Sequence, residues 1–172
     1  PMDINLNYSE DDSPLALKSD FILSLCELVI GGKEGLQPVD KTVIDRAVRN
    51  VYRPFLADPD PAKMPILGDL HTVLSAAPET RRIANILNRL VHGSASSFNR
   101  QTNVKLDNSY VVIDISELSG DLLTVGMYIG LDYMWDKAKE DLTRRKQIFI
   151  DEVWQIIGAS SNALAANYVF EA

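Results

Sequence analysis

Two stretches, Tyr110-Val111-Val112-Ile113-Asp114-Ile115 and Gln147-Ile148-Phe149-Ile150-Asp151-Glu152, decide how this chain is read. The first is a β-branched apolar run of the length expected of a buried strand; the second is a shorter apolar run that ends in two carboxylates. Between them, Asp121 to Lys139 has the pattern of a long helix, with Gly126 and Gly130 one turn apart where a neighbour can approach closely. Strand, helix, strand at this spacing is a βαβ unit with a right-handed crossover, so the fold class is α/β.

Upstream of that unit the pattern is helical. Ser13-Pro14 has the chemistry of a helix start, and Phe21, Ile22, Leu25, Leu28 and Val29 follow, with Asp20, Ser24 and Glu27 on one narrow polar stripe. Gly31-Gly32 ends this helix, since glycine takes the left-handed cap conformation without a steric penalty. A second helix begins at Pro38, continues through Val43, Ile44, Ala47, Val48 and Val51, and is stopped by Pro54. Pro59, Pro61 and Pro65 make Ala57 to Pro65 an extended loop. A short helix over Leu67 to Leu74 and another over Glu79 to Val91 complete the first half. Asn103 to Leu106 then alternates and Asp107-Asn108 is a turn signal.

The 172 residues are 46% apolar and 24% charged, the composition of one globular domain. Seventeen Lys and Arg against 24 Asp and Glu give a net charge of -7, which opposes attraction of the whole chain to nucleic acid or anionic lipid and leaves only a local basic patch for such partners. The lone cysteine, Cys26, excludes an internal disulfide framework and a multi-cysteine zinc site, and its neighbours Leu25 and Leu28 mark it as a core thiol. The longest apolar stretches, Phe21 to Ile30 and Leu122 to Trp135, fall short of the roughly 20 residues that span a bilayer, so the chain reads as cytoplasmic. Its start at Pro1-Met2 and its stop at Glu171-Ala172, inside a helical pattern, read as a piece of a longer protein.

In open parallel sheets ligands bind beyond the carboxyl ends of the strands, where Asp114 and Asp151-Glu152 stand. An apolar strand ending in Asp-Glu suits nucleotide hydrolysis: Asp151 would hold the Mg²⁺ shell and Glu152 would orient the attacking water. The same Asp is also a common helix cap. Asp114 lacks the second carboxylate that an aspartyl-phosphate chemistry needs, and local hydrogen bonding accounts for it equally well. No phosphate loop is present: around Gly31-Gly32-Lys33-Glu34, Glu27 stands at the first glycine position and Glu34 where the hydroxyl belongs. His71 and His92 are far apart in sequence and have no ligand-spaced neighbour, and His92 suits a helix's last turn. Ser94, Ser96 and Ser97 lack a nucleophile elbow. Arg82, Asn85 and Arg89 share one helix face, either solvated or turned to DNA or a neighbouring subunit.

Three stretches, LALKSDFILSLCELVIGGKEGLQPVDKTVIDRAVRNVYRPFL (15–56), FNRQTNVKLDNSYVVIDISEL (98–118) and KQIFIDEVWQIIGASSNALAANYVFE (146–171), resemble the central part of the large cytoplasmic traffic ATPases of conjugative type IV secretion systems. The likeness is to the versions carried by Gram-positive integrative conjugative elements. It implies a partial RecA-like P-loop NTPase sheet with a mostly α-helical subdomain. Residues 1–172 are then a fragment of one ATPase domain, with 14–93 the helical subdomain and 103–172 the RecA-like core.

The resemblance makes Asp151-Glu152 the Walker B pair, Asp151 binding ATP-bound Mg²⁺ through water and Glu152 acting as the catalytic residue. It implies ATP and Mg²⁺ as cofactors, hexamers of the parent and self-association of the fragment through exposed sheet edges. It also implies docking on membrane-channel proteins and a peripheral position at the cytoplasmic membrane. The family's phosphate loop would precede Pro1 and its arginine finger follow Ala172, and polar Gln147 shortens the Walker B run to three apolar residues. The alternatives are a non-catalytic assembly module of the same machinery and, with less support, a small Mg²⁺-dependent phosphate-handling enzyme using Asp114 and Asp151.

Overall fold

A computed structural model describes residues 1–4, 6, 13–30, 35–103, 108–141 and 143–151. The chain divides into two compact units, Pro1–Asn103 and Val104–Ala172.

Four helices build the first unit: α1 (Pro14–Ile30), α2 (Pro38–Ala57), α3 (Leu67–Ser75) and α4 (Arg81–Val91). Their starts follow from local chemistry. The Ser13 hydroxyl accepts from the Ala16 amide at 3.4 Å, and Pro14 occupies the first helical position, where a missing N–H costs nothing. In α2 and α3 a carboxylate three residues into the helix reaches back to the cap amide: Asp40 accepts from Gln37 N at 3.0 Å and Asp69 from Ile66 N at 2.8 Å.

Pro54 does not stop α2, which runs on to Ala57. A proline here costs one hydrogen bond near the helix end, and the Pro54 carbonyl still accepts from Asp58 N at 3.3 Å. Buried Phe55 lies beyond it, so packing favours the extra turn. The proline-rich connection holds a 3₁₀ turn at Pro61–Lys63, capped by Asp60, and α4 is preceded by another at Pro78–Thr80 rather than beginning at Glu79.

The core is where the periodicity places it. Ile22 and Leu25 of α1, Ile44, Val48 and Tyr52 of α2, Leu70 and Leu74 of α3, and Ile83, Leu87 and Leu90 of α4 are each at most 1% exposed. α1 packs on α2 and α4, and α3 packs on α2 and α4. Polar ties lock this arrangement: buried Tyr52 donates to the Met2 carbonyl, Thr80 to the Leu74 carbonyl, and Arg82 of α4 pairs with Asp40 of α2. Asn99 bridges two helix ends, accepting from Gly68 N at 2.7 Å and donating to the Val91 carbonyl at 3.2 Å.

The second unit contains α5 (Asp121–Lys139), with the bounds expected from its pattern. No strand occurs among the described residues, which departs from the expected α/β sheet. Residues 110–113 keep a strand's alternation nevertheless: Tyr110 and Val112 are 84% and 69% exposed, Val111 and Ile113 38% each. Ile113 lies on the α5 side, its Cγ2 4.0 Å from where a β-carbon on Gly130 would stand. A ladder needs a hydrogen-bonded neighbour as well as a pattern, and β-branched sequence cannot supply one. Ile148, Phe149 and Ile150 are likewise irregular, with Phe149 86% exposed. The alternation at 103–106 and the glycines Gly31-Gly32 fall outside the described residues.

Candidate functional site

α5 leads toward the carboxylate pair. Its last turn carries Lys137 and Lys139, and Lys146 donates to the Ala138 carbonyl at 2.6 Å and the Asp141 carbonyl at 2.5 Å. A cation on the open carbonyls of a helix C-terminus satisfies them and complements the dipole. The chain then runs through exposed Ile148 and Phe149 to Asp151, which is exposed in a turn. Glu152 lies outside the described residues, as does the Gly31 to Glu34 stretch.

Mg²⁺ usually keeps several waters and takes one or two carboxylates plus nucleotide phosphates. Asp151 provides one such oxygen donor, and among the described residues no group of three or more His, Cys, Asp or Glu could hold a metal on its own. Asp151 by itself is thus a single oxygen donor and not a metal cage.

Asp114 is exposed and accepts from the Ser116 amide at 2.9 Å. That bond, with the Ser116 hydroxyl second, holds its carboxyl below the usual range. It is a locally satisfied turn residue, the plainer of the two sequence readings.

The histidines are brought together, which spacing alone did not reveal. His71 of α3 and His92, the residue that caps α4, meet edge to face with ring centroids 5.3 Å apart. Burial, and then the proximity of His92, lower the His71 pKa. The signal that could have found the pair is the short α3–α4 connection, which forces consecutive helices to pack antiparallel or nearly so.

Cys26 is 1% exposed and burial pushes its thiol up to about 12, so it is the inert core thiol expected. Ser94, Ser96 and Ser97 are exposed around a 3₁₀ turn at Ser96–Phe98. Arg82, Asn85 and Arg89 are exposed along α4, Arg82 through its pair with Asp40 facing α2. Among the described residues no helix is long and apolar enough to cross a membrane.

No protein-family model and no curated protein matches this sequence. Among solved structures the chain is similar to VirB4 of Thermoanaerobacter pseudethanolicus, with a TM-score of 0.81 at 20% identity, over 98% of this chain and 68% of that one. At that identity the likeness is one of fold. It supports a VirB4-like fold for the chain, while the sheet expected at 110–115 and 147–150 has no counterpart among the described residues.

Proposed function

We propose that this chain is part of an ATPase of a type IV secretion system serving conjugative DNA transfer, and that Asp151-Glu152 is its Walker B pair. The observation that carries the reading is the fold likeness to VirB4 over nearly the whole chain. The acidic pair adds to it, since an apolar run after a long helix ending in Asp-Glu is the chemistry a nucleotide-hydrolysing site needs at that place. In this reading Asp151 binds the Mg²⁺ shell of ATP through water, and Glu152 positions and polarises the attacking water. Residues 14–93 are a helical subdomain and 103–172 a RecA-like core. Copies assemble, as hexamers in the parent, in the cytoplasm at the membrane face, and dock on channel proteins. ATP binding requires a phosphate loop, which this sequence does not contain, so the fragment alone is inactive.

The test is Mg²⁺-dependent ATP turnover by the longer protein that this reading implies, beside its Glu152→Gln variant. Glutamine keeps the size and loses the base, so nucleotide binding stays nearly unchanged while turnover falls by orders of magnitude. Turnover that survives the change removes Glu152 from catalysis. A longer protein that folds and assembles yet never hydrolyses ATP is the second reading, an assembly module. The longer protein's sequence separates the two: a glycine-rich loop ending in Gly-Lys-Ser/Thr ahead of this stretch favours the ATPase, and its absence from the whole protein favours the module.

A further inference from the structure

Charge lies along this chain in two adjoining blocks of opposite sign. Residues 80–106 contain Arg81, Arg82, Arg89, Arg100 and Lys105 and no Asp or Glu; residues 107–136 contain Asp107, Asp114, Glu117, Asp121, Asp132 and Asp136 and no Lys or Arg. In a chain of net charge -7, a cationic block free of carboxylates is the less expected of the two.

The fold turns the α4 part of the first block outward. Ile83, Ala84, Leu87, Leu90 and Val91 bury the apolar side of α4, which leaves Arg81, Asn85, Asn88 and Arg89 exposed on the other side, and exposed Arg100 follows in the same unit. Arg82 is drawn toward α2 by Asp40. In the second unit Asp114, Glu117 and Asp121 are all exposed, in the segment that leads into the first turn of α5. The Ser116 amide keeps Asp114 ionised.

We propose that the exposed face of α4 is an interface for a second copy of this chain, and that it takes up the neighbour's Asp114–Asp121 segment. The argument for that occupant is complementarity: a cationic, donor-rich face of arginine and asparagine meets a segment of three exposed carboxylates, present in the same molecule and so at the same concentration. A nucleic acid would meet the same arginines but also the acidic remainder of the chain. Because the two surfaces differ, the contact is heterologous: each copy offers one face and uses the other, which continues from copy to copy until a ring closes. This deepens the assembly part of the proposed function and is independent of the Asp151-Glu152 chemistry.

Sedimentation of the chain at about 0.1 M and about 1 M salt, where the screening length falls from roughly 10 Å to 3 Å, tests the proposal together with charge reversal. The expected result is association at low salt, weakened tenfold or more at high salt. It is equally weakened in the variant carrying Arg81→Glu, Arg89→Glu and Arg100→Glu and in the variant carrying Asp114→Lys, Glu117→Lys and Asp121→Lys, both checked for native helix content. Mixing the two variants restores association, because each then supplies the face the other has lost. A single chain with all six reversals associates with itself again, which guards against a triple variant that fails to fold.

Association untouched by salt and by both triple variants would leave assembly standing and overturn the α4 surface. A mass of one chain throughout overturns both the surface and the proposed self-association of the fragment. Binding of a single-stranded oligonucleotide that is lost in the arginine variant, with the chain monomeric, overturns the proposal in favour of a nucleic-acid partner.

Discussion

The Ser19 hydroxyl on α1 donates to Oδ1 of Asp45 on α2 at 2.6 Å, and Arg49, one turn further along α2, donates to Oδ2 at 2.9 Å. Ser19 is 1% exposed, so this carboxylate is what allows a polar side chain into the α1–α2 contact. A buried hydroxyl left without its partner costs about 1–3 kcal/mol.

Asp45→Ala is therefore expected to destabilise the chain by about 1–3 kcal/mol, and Asp45→Asn by less, since the amide oxygen still accepts from Ser19. Arg49, and then Ser19, hold the Asp45 carboxyl below its ordinary value. Its contribution is thus complete above the unfolded carboxyl pKa of about 3.9 and is lost as pH falls through the lower folded value. Denaturant unfolding from neutral to acid pH checks both parts: the Asn variant should lose less stability than the wild type as the solution is acidified.

His71 gives the other pH limb. Its folded pKa is lowered, so the unfolded chain binds the proton more readily, and stability rises with pH through the window between the folded value and about 6.5. Above that window the effect is complete. His71→Gln should flatten this part of the profile in thermal melts while leaving the acid limb set by Asp45 in place. A slope just below pH about 6.5 that is the same in both proteins would show that His71 does not set it.

Cys26 offers a probe of the α1 packing. With its thiol pushed up to about 12, the thiolate fraction at about pH 8 is on the order of one part in ten thousand, and the sulfur is buried as well. A thiol reagent is expected to label the native chain only through opening of the helical unit, so labelling should accelerate with denaturant and reach one thiol per chain. Rapid labelling in native buffer would mean that α1 is not held as described.

Much of the helical unit was legible because its information is local. A 3.6-residue apolar period and the Ser13-Pro14 start act within one or two turns, and α1, α3 and α5 stand where those signals put them. Pro54 misled because a proline's local penalty was set against Phe55, whose burial is a tertiary gain. The 110–115 and 148–150 runs misled for a deeper reason. Alternation and β-branching describe a strand's faces, and 110–113 keep that alternation beside α5, but a strand's edges must be satisfied by another segment that the run does not encode. The His71–His92 contact is likewise set by helix packing rather than spacing, and the short α3–α4 connection was its one local signal. The Asp-Glu reading rests on the pair's chemistry and on resemblance, while the charge blocks on either side of residue 106 needed only counting.

Two glycines that look alike in sequence should respond oppositely to alanine. Gly130 lies inside α5, and the nearest atom to an added β-carbon is Ile113 Cγ2 at 4.0 Å, ordinary contact distance. Gly130→Ala should therefore gain up to about 1 kcal/mol from helix propensity at no steric cost. Gly93 follows the α4 cap, where its amide bonds to the Asn88 carbonyl at 3.0 Å, and a β-carbon there would stand 2.9 Å from the Arg89 backbone. Backbone cannot swing aside as a flexible side chain does, so Gly93→Ala must shift the end of α4, along with the Asn99 bridge to Val91, at a cost of about 1–3 kcal/mol. Chemical denaturation of the two variants beside the wild type reads both signs at once. Destabilisation by Gly130→Ala would mean that 110–115 sits closer to α5 than its contact with Ile113 shows, and a neutral Gly93→Ala would mean that the α4 terminus yields without loss.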